Sequence, residues 1–204
     1  MIKRILISLL IIAGIFLVFV GIWFVFFLSA FGAFDKDYSV SDLKEEFTDH
    51  KTEIHEVISY YDQIVPKDKT VEIEFDGNRV NRFGIYSQNA TRTQVKTEFL
   101  DWNLELEGEK LQNEIKFLGW NTETLLTLRD KLDAADCIGI ENGEPTKILF
   151  QRSGMGMYSF NIFKHPIQDK KNYDDGCQYI LVNKNLALEY GGGAIGSQCF
   201  YNKN

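Results

Sequence analysis

Two glycine-containing segments in the last third of the chain carry the residue types that could do chemistry. Gly191-Gly192-Gly193-Ala194-Ile195-Gly196 follows a strand-like stretch, as a phosphate-binding loop does. Such loops work by opening a helix, whose free N–H groups and dipole hold the anion. Here only eight residues follow Gly196, Ser197 to Tyr201 reads as extended, and no Walker lysine is present. A bulge or tight loop needing positive φ is the expected role. Arg152-Ser153-Gly154-Met155-Gly156-Met157 is the second segment. Its glycines permit close backbone approach and its methionines can adapt to a partner surface; a β-bulge between two strands is the competing reading. With Tyr190 and Gln198, the residues Arg152, Ser153 and Met155 make up the candidate binding surface.

The remaining reactive side chains point to no catalytic set. His50 and His55 are five apart, so they do not share a helix face as an i, i+4 metal pair would. His50 falls on an apolar stripe and is expected to be a core or seam histidine, while His165 precedes Pro166 in a loop. A thiol–imidazole pair would need a cysteine beside His165 and an orienting third group, and nothing local supplies them. Glu72/Glu74 and Glu105/Glu107 alternate along strand-like stretches and read as solvent-facing pairs. Asp174-Asp175-Gly176 is a turn without the ligand series of a calcium loop. Asn89-Ala90-Thr91 matches a glycosylation acceptor pattern. No metal or cofactor is expected. Cys137, Cys177 and Cys199 lack C-x-x-C spacing. Three pairings are open; Cys177 with Cys199 needs the least assumption, because they bracket an apparent hairpin.

The elements that would position these residues follow from periodicity. Val40, Leu43, Phe47, His50, Ile54, Val57, Tyr61 and Ile64 keep a 3-4 spacing that predicts one helix from near Ser41 to Pro66. The stripe is also a heptad seam, but Ile58, Tyr60 and Val65 widen it beyond what a two-stranded seam needs. Docking on a globular body is therefore preferred to a homodimer through the 40–65 helix. Thr70 to Phe75 alternates with period two, and Asp76-Gly77 turns it into Arg79–Tyr86. Ser87 to Glu109 is ambiguous, with strand-like pieces at Gln94–Phe99 and Asn103–Leu106. A short helix through Leu111, Ile115 and Leu118 ends at Gly119. A second, capped by Asn121 or Thr122, buries Leu125, Leu128, Leu132 and Ala135. Strands are expected at Ile138–Ile140, Lys147–Gln151, Met157–Phe163, Gln178–Val182 and Leu186–Tyr190. Helices and strands without a βαβ rhythm make this an α+β domain, its helices packed on a mainly antiparallel sheet.

A gap in the charges sets the organisation. Lys3 and Arg4 are followed by thirty uncharged residues, Ile5 to Phe34, which rise about 45 Å as a helix against a hydrocarbon core of about 30 Å. Residues 1–34 are read as a transmembrane anchor in contact with the bilayer through 5–34, and 35–204 as one water-soluble domain. A cleavable signal peptide is disfavoured, since Ala30-Phe31-Gly32 is a poor cleavage site after too long an apolar run. Lys3 and Arg4 at the N-terminal flank favour a cytoplasmic N-terminus and an external domain. That domain holds 20 Lys and Arg against 29 Asp and Glu once Lys3 and Arg4 are set aside, a net charge of −9. Nucleic acid is a poor partner for it.

Gly143-Glu144-Pro145-Thr146, Arg152-Ser153-Gly154-Met155-Gly156, Leu188-Glu189-Tyr190-Gly191-Gly192-Gly193-Ala194 and Gly196-Ser197-Gln198-Cys199-Phe200 together resemble a recurring pattern in small uncharacterised bacterial envelope proteins. The resemblance covers the last third of the chain and implies no activity or catalytic residues. The expectation is a non-enzymatic binding module, single-pass in a bacterial inner membrane with its domain in the periplasm. Its partner is expected to be another protein, an immunity-type role being one concrete version. The alternatives are an envelope hydrolase, with a pocket near Arg152 and the Gly191–Gly196 loop, and a structural subunit of a membrane assembly.

Overall fold

A computed structural model describes residues 2–30, 34–88, 95–154, 156–191 and 196–200. Met155, the Asn89-Ala90-Thr91 acceptor and Gly192 to Ile195 lie outside the described residues. The first helix, α1 (Ile2–Ala30), is long and apolar enough to cross a membrane, as an anchor or as a signal sequence.

The expected single helix after it is two, α2 (Val40–Asp49) and α3 (Lys51–Ile64), broken at His50. Ser39 caps α2 through a reciprocal pair of bonds with Asp42, which satisfies two of the free N–H groups of its first turn. At the break, His50 N–H still donates to the Glu46 carbonyl and Ile54 N–H to the His50 carbonyl, so the stripe carries across the kink. Val40, Leu43, Ile54, Val57 and Tyr61 are buried against the chain's own sheet, which covers the positions a seam between two copies would use. His50 itself is half-buried and holds the Glu46 carbonyl through Nδ1; it is not a core histidine.

Among the described residues eight antiparallel strands form one sheet, ordered β3-β2-β1-β4-β5-β6-β8-β7. They are β1 (Lys69–Asp76), β2 (Arg79–Gln88), β3 (Val95–Glu105), β4 (Gly139–Glu141), β5 (Thr146–Ser153), β6 (Gly156–Ile162), β7 (Tyr179–Asn183) and β8 (Leu186–Gly191). Between β3 and β4 run α4 (Glu109–Phe117) and α5 (Thr122–Ala134), the latter capped by Asn121. The two pieces expected between Gln94 and Leu106 are one strand, bent near Asn103, whose φ is +58°.

One face of the sheet carries the row Phe83, Ile73, Ile140, Ile148, Phe160 and Leu188, in cross-strand register. Those side chains and the apolar faces of α2 to α5 form the main core. Each fully buried aliphatic or aromatic side chain there stabilises the fold by about 1.5–3 kcal/mol. Polar bonds pin the layers together: Tyr61 Oη donates to the Val71 carbonyl at 3.0 Å, and Trp120 Nε1 to the Ile64 carbonyl at 2.7 Å.

The two edges differ. Beyond β7, the Asp175 carboxylate accepts from the N–H of Tyr179 and that of Asp174 from the N–H of Leu181. The other edge, β3, carries Lys96, Glu98, Asp101 and Glu105.

Candidate functional site

The segment Arg152–Met157 is neither a bulge nor an open edge. Arg152 pairs with Met157 and Ser153 with Gly156, so it closes the β5–β6 hairpin in a tight turn, with Gly154 at φ +56°. The irregularity of this hairpin lies earlier, between Leu149 and Gln151. Three of the nominated residues converge here: a Cβ on Gly156 would lie 2.8 Å from Gln198 Oε1 and 2.9 Å from Tyr190 Cε2. They make little surface, however. Ser153 and Tyr190 are buried, and the Tyr190 ring stacks on Tyr158 with centroids 4.2 Å apart. Gly191 ends β8 at φ +150°, Gly196 has φ +72°, and Gly191 bridges to Ser197. The glycine run leads into extended chain instead of opening a helix.

The hairpin turn is occupied by the chain that follows α1. Gly154 N–H donates to Asp35 Oδ2 at 2.6 Å, Ser153 Oγ to Asp37 Oδ1 at 3.1 Å, and Tyr38 N–H to Tyr158 Oη at 3.2 Å. The Tyr38 ring meets Phe150 and Tyr158 edge-on, at 5.1 and 5.3 Å.

Chemistry concentrates instead on the sheet face opposite the helices. Paired residues of an antiparallel ladder share a face, and the register lays two rows across all eight strands. One row runs Trp102, Arg82, Glu74, Gly139, Leu149, Ser159, Glu189, Tyr179; the other runs Leu100, Gly84, Glu72, Glu141, Lys147, Asn161, Ala187, Leu181. Glu72 and Glu74 therefore do not face open water as expected. The Glu74 side chain is 3% exposed and receives Arg152 Nε and Nη2 on its two oxygens, both at 2.6 Å, with Asn81 Nδ2 at 2.8 Å. That bidentate contact holds the Arg152 pKa above its ordinary value. Glu189 accepts from Lys147 Nζ at 2.8 Å and Asn161 Nδ2 at 2.9 Å. Gly139, between them in the row, permits close packing: a Cβ there would clash with the Ile73 carbonyl and sit 2.9 Å from Leu149 Cδ1.

Glu72 and Glu141 face each other directly across β1 and β4. Burial raises the pKa of both; the Glu72 carboxylate further raises that of Glu141, and Glu74 that of Glu72, while Arg82, 3.0 Å from Glu72, and Lys147 act in the opposite sense. Like charges placed opposite one another on a ladder destabilise it. Glu141 makes no hydrogen bond through its carboxylate among the described residues, and Arg82 Nε and Ser159 Oγ are buried without a partner. Across this face four carboxylates meet three cations, and burial favours the protonated form at Glu72 and Glu141. The chemistry available is proton exchange at a carboxyl pair and the recognition of polar groups. Among the described residues no three His, Cys, Asp or Glu side chains cluster to hold a metal ion.

A cleft of about 350 Å³ lies at the far end of β6, lined by Glu144, Phe163, His165, Ile167, Asp169 and Tyr173 among others. The N–H groups of Lys164 and His165 donate to the Glu144 carboxylate, at 3.4 and 3.1 Å. The His165 side chain is 86% exposed, with Nδ1 3.8 Å from Glu144. Cys177 and Cys199 are joined in a disulfide with Cα atoms 4.2 Å apart. Cys137 is a buried thiol that donates to the Ala135 carbonyl, and burial pushes its pKa far up. A reactive thiolate is thus disfavoured at every described cysteine.

The charged rows escaped sequence reading because each strand shows only one or two of their members. The available signal was a lone charge inside an apolar strand: Lys147 before Ile148-Leu149-Phe150, and Glu189 after Leu186-Ala187-Leu188. No family model, no curated protein and no solved structure matches the chain.

Proposed function

We propose that this chain is a membrane-anchored, non-enzymatic binding module of the bacterial envelope. α1 is retained as a single-pass anchor, the N-terminus is cytoplasmic, the 35–204 domain is periplasmic, and the partner is another protein. A toxin-immunity role is one concrete form of this reading. The observation that carries it is the commitment of Arg152 to Glu74 and of Ser153 to Asp37. These side chains are locked in internal contacts, where a hydrolase built on this segment needs them free in a pocket. The disulfide supports an oxidising compartment. The recognition surface of this reading is the β2–β3 rim of the outer sheet face, where Trp102, 54% exposed, stands beside the half-buried Arg82, while Glu74, Ser159, Asn161 and Glu189 further in are buried. Aromatic and arginine side chains of this kind anchor protein interfaces.

The test is recovery of complexes from membranes of the native host. A defined partner should be held by the full-length chain and lost with Trp102→Ala, while the variant's thermal unfolding is unchanged. Turnover of an envelope substrate by the purified protein, abolished by Glu72→Gln or Glu141→Gln, would overturn the non-enzymatic reading. It would move the hydrolase alternative from Arg152 to the carboxyl pair.

A further inference from the structure

We propose that residues 35–38 clamp the domain upright on the membrane, with the β5–β6 turn toward the bilayer and the cleft beside Tyr173 at the far end, facing away from it. This rests on the reading of α1 as a retained anchor and adds an orientation to it. Four residues lie between Ala30, the end of α1, and Asp35, which makes five steps, and a fully extended chain spans at most about 3.3–3.6 Å per residue. The point where Asp35 receives Gly154 N–H therefore lies within about 17 Å of the end of the apolar helix.

The grip is distributed over backbone and side chains. Asp35 holds Gly154, Asp37 holds Ser153, and the Tyr38 N–H and ring hold Tyr158 and Phe150. Directly afterwards Ser39 caps α2 and Val40 is buried. The chain thus belongs to the folded body from Asp35 onward.

The sheet's antiparallel register then decides which features share each end. The β5–β6 turn, the β1–β2 turn and the exposed Ala134 at the end of α5 lie at the near end. The β7–β8 turn lies at the other end, where the Lys184 carbonyl accepts the N–H of Ile167 in the cleft. The seven residues of β6 set the ends about 20 Å apart, at about 3.3 Å per residue. Asp76 and Asp136 are exposed at the near end, so that end does not embed in the hydrocarbon.

Full-length protein is reconstituted in phosphatidylcholine vesicles that carry a headgroup quencher, with a fluorophore on Ala134→Cys or Lys184→Cys. Cys137 is buried and the other cysteines are paired, so only the introduced thiol is labelled. With about 20 Å between the ends, quenching at position 134 should exceed that at 184 at least about twofold. Adding Asp35→Ala and Asp37→Ala together should abolish the difference. Equal quenching in the native background, or stronger quenching at 184, overturns the orientation. A difference that persists in the double variant overturns the clamp. Protein that does not float with the vesicles overturns the anchor reading itself, which flotation reports separately from quenching.

Discussion

Replacing Arg152 by Met removes the cation that holds Glu74 while keeping an unbranched apolar side chain of similar reach. The Glu74 carboxylate is 3% exposed, so it cannot recover its hydration. Breaking a buried ion pair from one side costs about 3–5 kcal/mol. Two features reduce that here: Arg152 is 37% exposed, so less of the pair is desolvated, and Asn81 still donates to Oε1. About 2–3 kcal/mol is left. In a domain of this size each kcal/mol moves Tm by about 2–4 °C, so Tm should fall by about 5–10 °C. The assay is urea and thermal unfolding of the 35–204 fragment, which is expected to unfold cooperatively. The diagnostic measurement is the double variant with Glu74→Met. An apolar pair often replaces a buried ion pair at little cost, so the double should be more stable than Arg152→Met alone. A loss below about 0.5 kcal/mol in the single variant, or single-variant losses that simply add, would refute the account of Arg152 as the internal partner of Glu74.

Three further outcomes are expected. Because burial raises the folded-state pKa values of Glu72 and Glu141, the native protein binds more protons than the unfolded chain; the stabilisation is fullest below the ordinary carboxylate pKa and is lost as pH rises through the raised values. Glu141→Gln should flatten that decline in a series of urea titrations from about pH 4 to 8, and an unchanged slope would count against the carboxyl pair. Replacing Cys177 and Cys199 together by Ala should lower stability by about 3 kcal/mol for a sequence separation of 22; an unchanged denaturation midpoint would show that the bridge constrains nothing. Cys137 should resist alkylation in native buffer and react fully in denaturant, and rapid native labelling followed by mass spectrometry would contradict its burial.

Local pattern made most of the fold legible. Asn121 announced α5, the period-two run after Lys69 announced β1, and the wide apolar face of Ile54, Val57, Ile58 and Tyr61 announced packing on a body. The kink at His50 was invisible because the flanking hydrogen bonds keep the helical phase across it. β3 reads in the sequence as two pieces with Leu100 to Trp102 left between them, and the structure joins them into one strand. The charged face was not legible for a different reason. An alternating strand looks the same whether its second face meets water or a neighbour's counter-charge, and Glu74 and Arg152 are 78 residues apart. Only the register of the intervening β4, three residues long, brings them together. The docking of Asp35 and Asp37 was hidden likewise, since short acidic segments after a hydrophobic helix ordinarily read as solvated flank.

The guarded margins of the sheet matter most under the proposed reading of α1 as a retained anchor, which confines the domain to two dimensions. Copies inserted in one bilayer share an up-direction, so they collide sideways, and a lateral collision presents strand margin to strand margin. That is the geometry in which sheets merge into ribbons. At β7 the two outward N–H groups are already taken by Asp174 and Asp175 within the same chain, so an incoming strand would have to displace carboxylates from both. At β3 the positive φ of Asn103 interrupts the regular template, and Lys96, Glu98, Asp101 and Glu105 put charged side chains along the margin, a common guard against edge pairing. Under that anchor reading, crowding along the membrane plane can rise without polymerising the domain.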